Sequence, residues 1–193
     1  MQIEEFIKTV HTLEKLKDTT RHCYTSGGRR ESVAEHTWRT AMMAYFMKDE
    51  FPNADINKVI TMILIHDLGE IFTGDIPAFD KITADENNEQ RLLFDWVSSL
   101  PKPYCNEMIN LYNEMLELET EEAKLYKALD GIEAVLQHNE SEISTWSDIE
   151  FTLNRVYAED RCAFSEYLTQ LRKAIKMETD QKIAECKNTD TII

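Results

Sequence analysis

The sequence predicts an all-α helical bundle, and three observations carry that expectation. The 193 residues include only 5 Gly and 4 Pro, which points to long elements and few tight turns. Leu, Glu, Lys, Ala and Met are abundant, and all are good helix formers. Apolar residues recur at helical intervals along most of the chain, whereas no strand-like alternation runs beyond a few residues. The length suits one domain, placed at 1–185, with 186–193 as a frayed tail. Such a chain can bury a core without disulfides or a structural metal.

In residues 2–16, Ile3, Phe6, Ile7, Val10, Leu13 and Leu16 stand at helical spacing and predict a first amphipathic helix, with His11 as a packing or surface residue. Residues 17–31 break the pattern. Gly27-Gly28 marks a loop, and Arg21, Arg29 and Arg30 gather positive charge there. Arg29 and Arg30 read as solvated, whereas the Arg21 guanidinium has the fork geometry to hold a phosphate.

Ser32-Val33-Ala34-Glu35 has the form of a capping box. It starts a helix running to about Glu50, with His36 in the first turn and Trp38, Ala41, Met42, Tyr45, Phe46 and Phe51 as its apolar face. A third helix begins near Asp55. It is apolar nearly all round, as a central buried helix would be, and Gly69 fits its C-terminal cap. Further helices are predicted at 84–99, 104–117, 121–139 and 148–178. The helical methionines read as core filler.

Lys and Arg number 21 against 36 Asp and Glu, a formal charge of −15. That field repels long DNA or RNA but leaves room for a small phosphate ester held by local cations. Cys23, Cys105, Cys162 and Cys186 are scattered, with no CxxC pair, and suit free thiols in a reducing cytoplasm. The N-terminus lacks the features of a signal peptide, and no apolar run reaches membrane-spanning length.

The chemistry centres on Ile63-Leu64-Ile65-His66-Asp67-Leu68-Gly69-Glu70. A buried His-Asp pair is costly unless paired, hydrogen-bonded or metal-bound. Alone, it is more often a satisfied core histidine beside a capping aspartate. With His36 thirty residues earlier and Asp130 on a later helix, it becomes a set of two imidazoles and two carboxylates. Such a set suits a divalent ion with open positions for water and substrate. The absence of thiolates argues against a structural zinc site.

This pattern resembles the HD-domain metal-dependent phosphohydrolases, whose signature is H…HD…D. More narrowly, it is similar to their 5′-deoxynucleotidase branch. The likeness rests on Glu31-Ser32-Val33-Ala34-Glu35-His36, His66-Asp67-Leu68-Gly69-Glu70, Thr73-Gly74-Asp75-Ile76-Pro77 and Ala128-Leu129-Asp130-Gly131-Ile132-Glu133-Ala134. The resemblance implies an all-α HD-domain bundle and a homodimer. It also implies a divalent cofactor (Mn, Co, Fe, Ni, Zn or Mg) and hydrolysis of deoxyribonucleoside 5′-monophosphates. It assigns His36, His66, Asp67 and Asp130 as metal ligands, and Glu70, Asp75 and Arg21 as catalytic. Glu70, Asp75 and the Ile76 carbonyl are implied for a second ion. Arg21, His22 and Asp75 are implied for substrate, although His22 stands where the family has an aromatic residue. Gly131 replaces a family Lys, leaving Asp130 without that ion pair.

Two other readings stay open. One is another HD nucleotide hydrolase, a phosphodiesterase or triphosphohydrolase. HD-GYP phosphodiesterases need further His ligands and a Gly-Tyr-Pro segment that this chain lacks. The other is a non-catalytic nucleotide-sensing module, against which the intact ligand set and Glu70 both speak. A di-iron oxygenase would need more His ligands than are in place.

Overall fold

The structure, a computed structural model, describes the backbone of residues 1–190 and the side chains through residue 186. Its elements are α1 (Ile3–Leu13), β1 (Thr20–Tyr24), β2 (Arg30–Ser32), α2 (Val33–Phe46), α3 (Ile56–Ile65), α4 (Glu70–Thr73), α5 (Thr83–Ser98), α6 (Lys102–Glu117), α7 (Glu121–Glu140), α8 (Glu150–Leu153), α9 (Glu159–Cys162) and α10 (Glu166–Asp190). Among the described residues, the all-α expectation holds apart from one small antiparallel hairpin, β1 with β2. That hairpin occupies the stretch expected to be a loop. Residues 186–190 of the expected tail continue α10, and 191–193 lie outside the described residues.

The bundle is built around α7, whose Ala123, Leu125, Ala128, Leu129, Ile132 and Val135 are fully buried. Helices α2, α3, α6, α9 and α10 all pack against it, and β1 lies on it too. This corrects the expectation that α3 is the central helix. Its Val59, Met62 and Ile63 are buried, but Leu64 is 51% exposed. The face α2 turns inward also differs from the one expected. Val33, His36, Thr37, Thr40, Ala41 and Ala44 are buried there, while Trp38 is 64% and Phe46 77% exposed. The small inward residues let α3 and α7 approach closely, which brings α2's His36 to the middle of the molecule. The apolar stripe of α1 likewise faces outward, with Phe6 58% exposed.

The single helix expected over 148–178 is three pieces. Ala158 sits at φ 61° in the left-handed region and breaks the chain between α8 and α9. Arg172, buried on α10, donates to the Tyr157 carbonyl (2.8 Å) and the Asn154 carbonyl (2.8 Å) beside that break. It thereby satisfies backbone acceptors that an unbroken helix would have paired itself.

Ser32 ends β2 and caps α2. Its Oγ accepts from the Glu35 N–H (3.3 Å), and its own N–H donates to Glu35 Oε2 (2.9 Å), the reciprocal pair read in the sequence. The hairpin is tied to α7 through the Gln137 amide, which donates to the Tyr24 carbonyl (2.7 Å).

Candidate metal centre and substrate cleft

Three elements deliver the four predicted ligands to one place. His36 comes from the first turn of α2, His66 and Asp67 from the end of α3, and Asp130 from the middle of α7. The His36 Nε2 atom lies 3.4 Å from Asp130 Oδ1 and 3.8 Å from Asp67 Oδ2. The His66 Nε2 atom lies 2.9 Å from Asp67 Oδ2 and 3.7 Å from Asp130 Oδ1. The two imidazole rings are 5.4 Å apart.

The other ring nitrogens are fixed from behind. His36 Nδ1 is bound to Glu133 Oε2, and His66 Nδ1 donates to the Ile63 carbonyl at 2.7 Å. A donated Nδ1–H leaves the Nε2 lone pair pointing into the centre. Both Nε2 atoms are buried without a hydrogen-bond partner. Buried polar atoms are nearly always satisfied. Two unsatisfied ring nitrogens facing two carboxylates fit a cation, whether a proton or a metal ion.

Electrostatics point the same way. Burial would raise both carboxylates, but the imidazoles outweigh it at Asp67, which is held at about 2. Asp130 is also held well below the usual carboxylate range, by Lys127 first among the opposing groups. Burial should strip His66 of its proton, yet Asp67 and Asp130 raise it to about 10. The cluster attracts positive charge strongly enough to reverse the effect of burial.

The centre forms the floor of a cleft of about 310 Å³. Arg21, Glu70, Asp75 and Ile76 line it, as do His22, Lys81, Lys127 and Arg161. Arg21 reaches from β1, with Nη1 3.8 Å from Asp67 Oδ2 and Nε 3.3 Å from Glu31 Oε2. Glu31 in turn accepts from Cys23 Sγ (3.2 Å), so a buried carboxylate fixes the arginine's direction. Glu70 opens α4 and is buried, with its Oε2 unpartnered. Burial first, then Asp67 and Asp75, push its carboxyl well above the usual range. Gly74, at φ 78°, turns the chain after α4 and lets Asp75 and Ile76 face the cleft.

Gly69 does not cap α3. It has ordinary helical angles, and α3 ends at Ile65. A Cβ there would come within 2.6 Å of Glu89 Cγ, so the Glu89 side chain of α5, which lies over Gly69, would have to shift to admit one. Nor does Asp130 lack cationic support. Lys127 Nζ lies 2.9 Å from its Oδ2, and Arg161 Nη1 lies 3.9 Å away. Gly131 has a different purpose: a Cβ there would sit 2.5 Å from Ala158 Cβ, so its absence admits the segment that carries Arg161.

The sequence assigns no role to Glu31, Glu133, Lys127 or Arg161, although Glu31 and Glu133 fall within the segments that carry the resemblance. Glu133 had one available signal, since it follows Asp130 by three residues on the same helix and therefore shares its face. The solvated reading suits Arg29, which is exposed and pairs with Glu35.

A helical bundle whose core helices converge on two histidines and two carboxylates, beneath a cleft lined with cations, defines an all-α protein built around a metal-competent centre. The chain belongs to the HD domain family, whose model matches residues 13–172. The chain is 32% identical over 140 residues to 5′-deoxynucleotidase HDDC2 of Homo sapiens, covering 72% of this chain and 67% of that one. With HDDC2 of Dictyostelium discoideum it shares 33% over 148 residues, 72% of this chain and 76% of that one. Among solved structures, the predicted metal-dependent phosphohydrolase from Magnetospirillum magnetotacticum MS-1 superposes with a TM-score of 0.80 at 27% identity over 93% of both chains.

Proposed function

We propose that the chain is a metal-dependent 5′-deoxynucleotidase, hydrolysing deoxyribonucleoside 5′-monophosphates to deoxynucleoside and phosphate. The observation that carries this reading is the pair of unsatisfied Nε2 atoms of His36 and His66, set against Asp67 and Asp130 below a cation-lined cleft. The relatives named 5′-deoxynucleotidase support the substrate class.

His36, His66, Asp67 and Asp130 would hold the divalent ion. When bound, that ion lowers the pKa of a coordinated water and polarises a phosphoryl oxygen. Arg21 neutralises the non-bridging oxygens, a role that its closeness to Asp67 supports. Glu70 orients the attacking water or gives its proton to the leaving 5′-oxygen, a role suited to its raised proton affinity. Asp75 holds the sugar 3′-hydroxyl; alternatively Asp75, Glu70 and the Ile76 carbonyl would hold a second ion. His22 contacts the nucleoside. The cleft suits one small nucleotide. The charge of −15 opposes long nucleic acids.

The exposed apolar faces of α1 and α2 support a homodimer. Four free cysteines support a reducing, cytoplasmic setting. No described helix is long and apolar enough to cross a membrane.

The test is phosphate release from each deoxy- and ribonucleoside monophosphate, alongside triphosphates and phosphodiesters, with chelation and metal add-back. Equal rates on ribo and deoxy forms would refute deoxy selectivity. Release from none of them would refute the nucleotidase reading.

A further inference from the structure

His22, His138 and Glu150 meet at a second point in the same cleft, and none of them belongs to the four-ligand centre of His36, His66, Asp67 and Asp130. The three come from β1, α7 and α8. The His22 Nε2 atom lies 2.7 Å from Glu150 Oε1, and the His138 Nε2 atom lies 3.1 Å from the same oxygen. His138 is eight residues beyond Asp130, which at 1.5 Å per residue puts the two about 12 Å apart along α7.

The donors are fixed in advance. Glu150 Oε2 accepts from both the Ser147 N–H (2.6 Å) and the Ser147 hydroxyl (2.9 Å), which leaves Oε1 for the imidazoles. The His22 ring stands edge-on to Phe79, and the His138 ring edge-on to Trp146. Glu150 is 2% and His138 8% exposed at the side chain, while His22 at 28% keeps an opening to solvent.

The arrangement repeats the imidazole geometry of the hydrolytic centre. The His22 and His138 rings are 5.1 Å apart and tilted by 42°, against 5.4 Å and 49° for His36 and His66. In both places two imidazoles from separate elements converge on a carboxylate oxygen. Three donor atoms within 4.8 Å of one another, two nitrogens and one anionic oxygen, form a ligand set that zinc-class ions favour. Ligand bonds of about 2.0–2.2 Å need donors roughly 3.3 Å apart, so each imidazole would have to open from Glu150 Oε1 by only about 0.5 Å or less to seat an ion.

We propose that His22, His138 and Glu150 form a second, separate site for a divalent transition ion of the zinc class, with its free coordination positions facing the cleft. The site stands whether or not the chain hydrolyses nucleotides, because it is read from its own three ligands.

The test is crystallisation of the full chain with Zn²⁺ and diffraction on both sides of the zinc absorption edge. The expected result is an anomalous peak bounded by His22 Nε2, His138 Nε2 and Glu150 Oε1. In solution, the Zn²⁺ retained after equilibration and desalting should fall by one ion per chain in His138→Gln. His22→Ala, on a partly exposed strand, should give the same loss and serves if His138→Gln does not fold. His36→Gln should keep this ion while losing the one at the hydrolytic centre. Peaks confined to the His36, His66, Asp67 and Asp130 cluster, or an unchanged zinc content in His22→Ala, would overturn the proposal and leave a hydrogen-bonded His-Glu-His chain.

Discussion

His36 on α2 is held through its Nδ1 by Glu133 on α7, a carboxylate 97 residues further along the chain. Glu133 is fully buried, and its second oxygen accepts from Arg39 Nε at 2.8 Å, so the carboxylate cannot swing away. This contact sets which nitrogen of His36 carries the proton and raises the basicity of the other. Glu133→Gln keeps the shape and removes the charge. Metal affinity is expected to fall by about 10- to 100-fold, the usual cost of losing such a supporting contact. Competition with a chelator of known affinity would measure it, and unchanged affinity would remove Glu133 from the account.

Glu70 is assigned to proton handling, so its effects on chemistry and on metal content should separate. Glu70→Gln is expected to lower kcat by about 10²-fold or more. The metal content at the four-ligand centre should stay at the wild-type value. Full activity in a metal-loaded variant would rule the role out.

Gly131 has no room for a side chain. Ala would ordinarily improve a helix interior by about 1 kcal/mol. Here its Cβ would meet Ala158 Cβ at 2.5 Å, and overpacking costs about 1–3 kcal/mol. Gly131→Ala is therefore expected to lower Tm, opposite in sign to the propensity argument. Thermal unfolding followed by circular dichroism decides between the two.

The cap of α2 should show in acid. Hydrogen bonding from Arg29, and then from Ser32, holds the Glu35 carboxyl at about 2. A depressed carboxylate stabilises the fold above its unfolded pKa, near 4.3, and loses that contribution as pH falls toward 2. Wild type should exceed Glu35→Gln at pH 7 and converge with it by pH 2. Because the pair is solvent-exposed, the gap should be about 2 °C or less in Tm. A gap that persists at pH 2 would contradict the assignment.

The outward apolar faces make an assembly prediction. Phe46 and Trp38 on α2 are among the most exposed large side chains. Phe46→Glu is expected to shift a dimer to monomer in light scattering without lowering the helix content. A wild-type chain that is monomeric at micromolar concentration would refute the dimer.

The convergence of His36, His66, Asp67 and Asp130 was legible in the sequence because each candidate ligand sits beside a strong local signal: a capping box before His36, an apolar run before His66, a buried stripe around Asp130. The groups behind the ligands were not. Glu133 looks like any helical acid until Arg39 and His36 are seen to surround it, and those contacts span the chain. The hairpin was hidden for a similar reason. Its strands are short and polar, and β1 is held by α7 through Gln137 and Tyr24 rather than by strand propensity. The inward and outward faces of α1 and α2 look alike in sequence, because apolar residues mark any buried surface, whether it meets the same chain or another. The break at Ala158 left no mark, since a left-handed alanine is favoured only by its packing against Gly131 and the bonds from Arg172.

Ser32 belongs to the hairpin and to α2 at once, and no residue lies between them to act as a joint. The arginine at position 21 is on the other strand, which pairs with this one at Thr20 and Ser32, so the hairpin that carries it and the helix that carries the histidine at position 36 meet at a single residue. A substitution that unseats Ser32 would therefore loosen both at once.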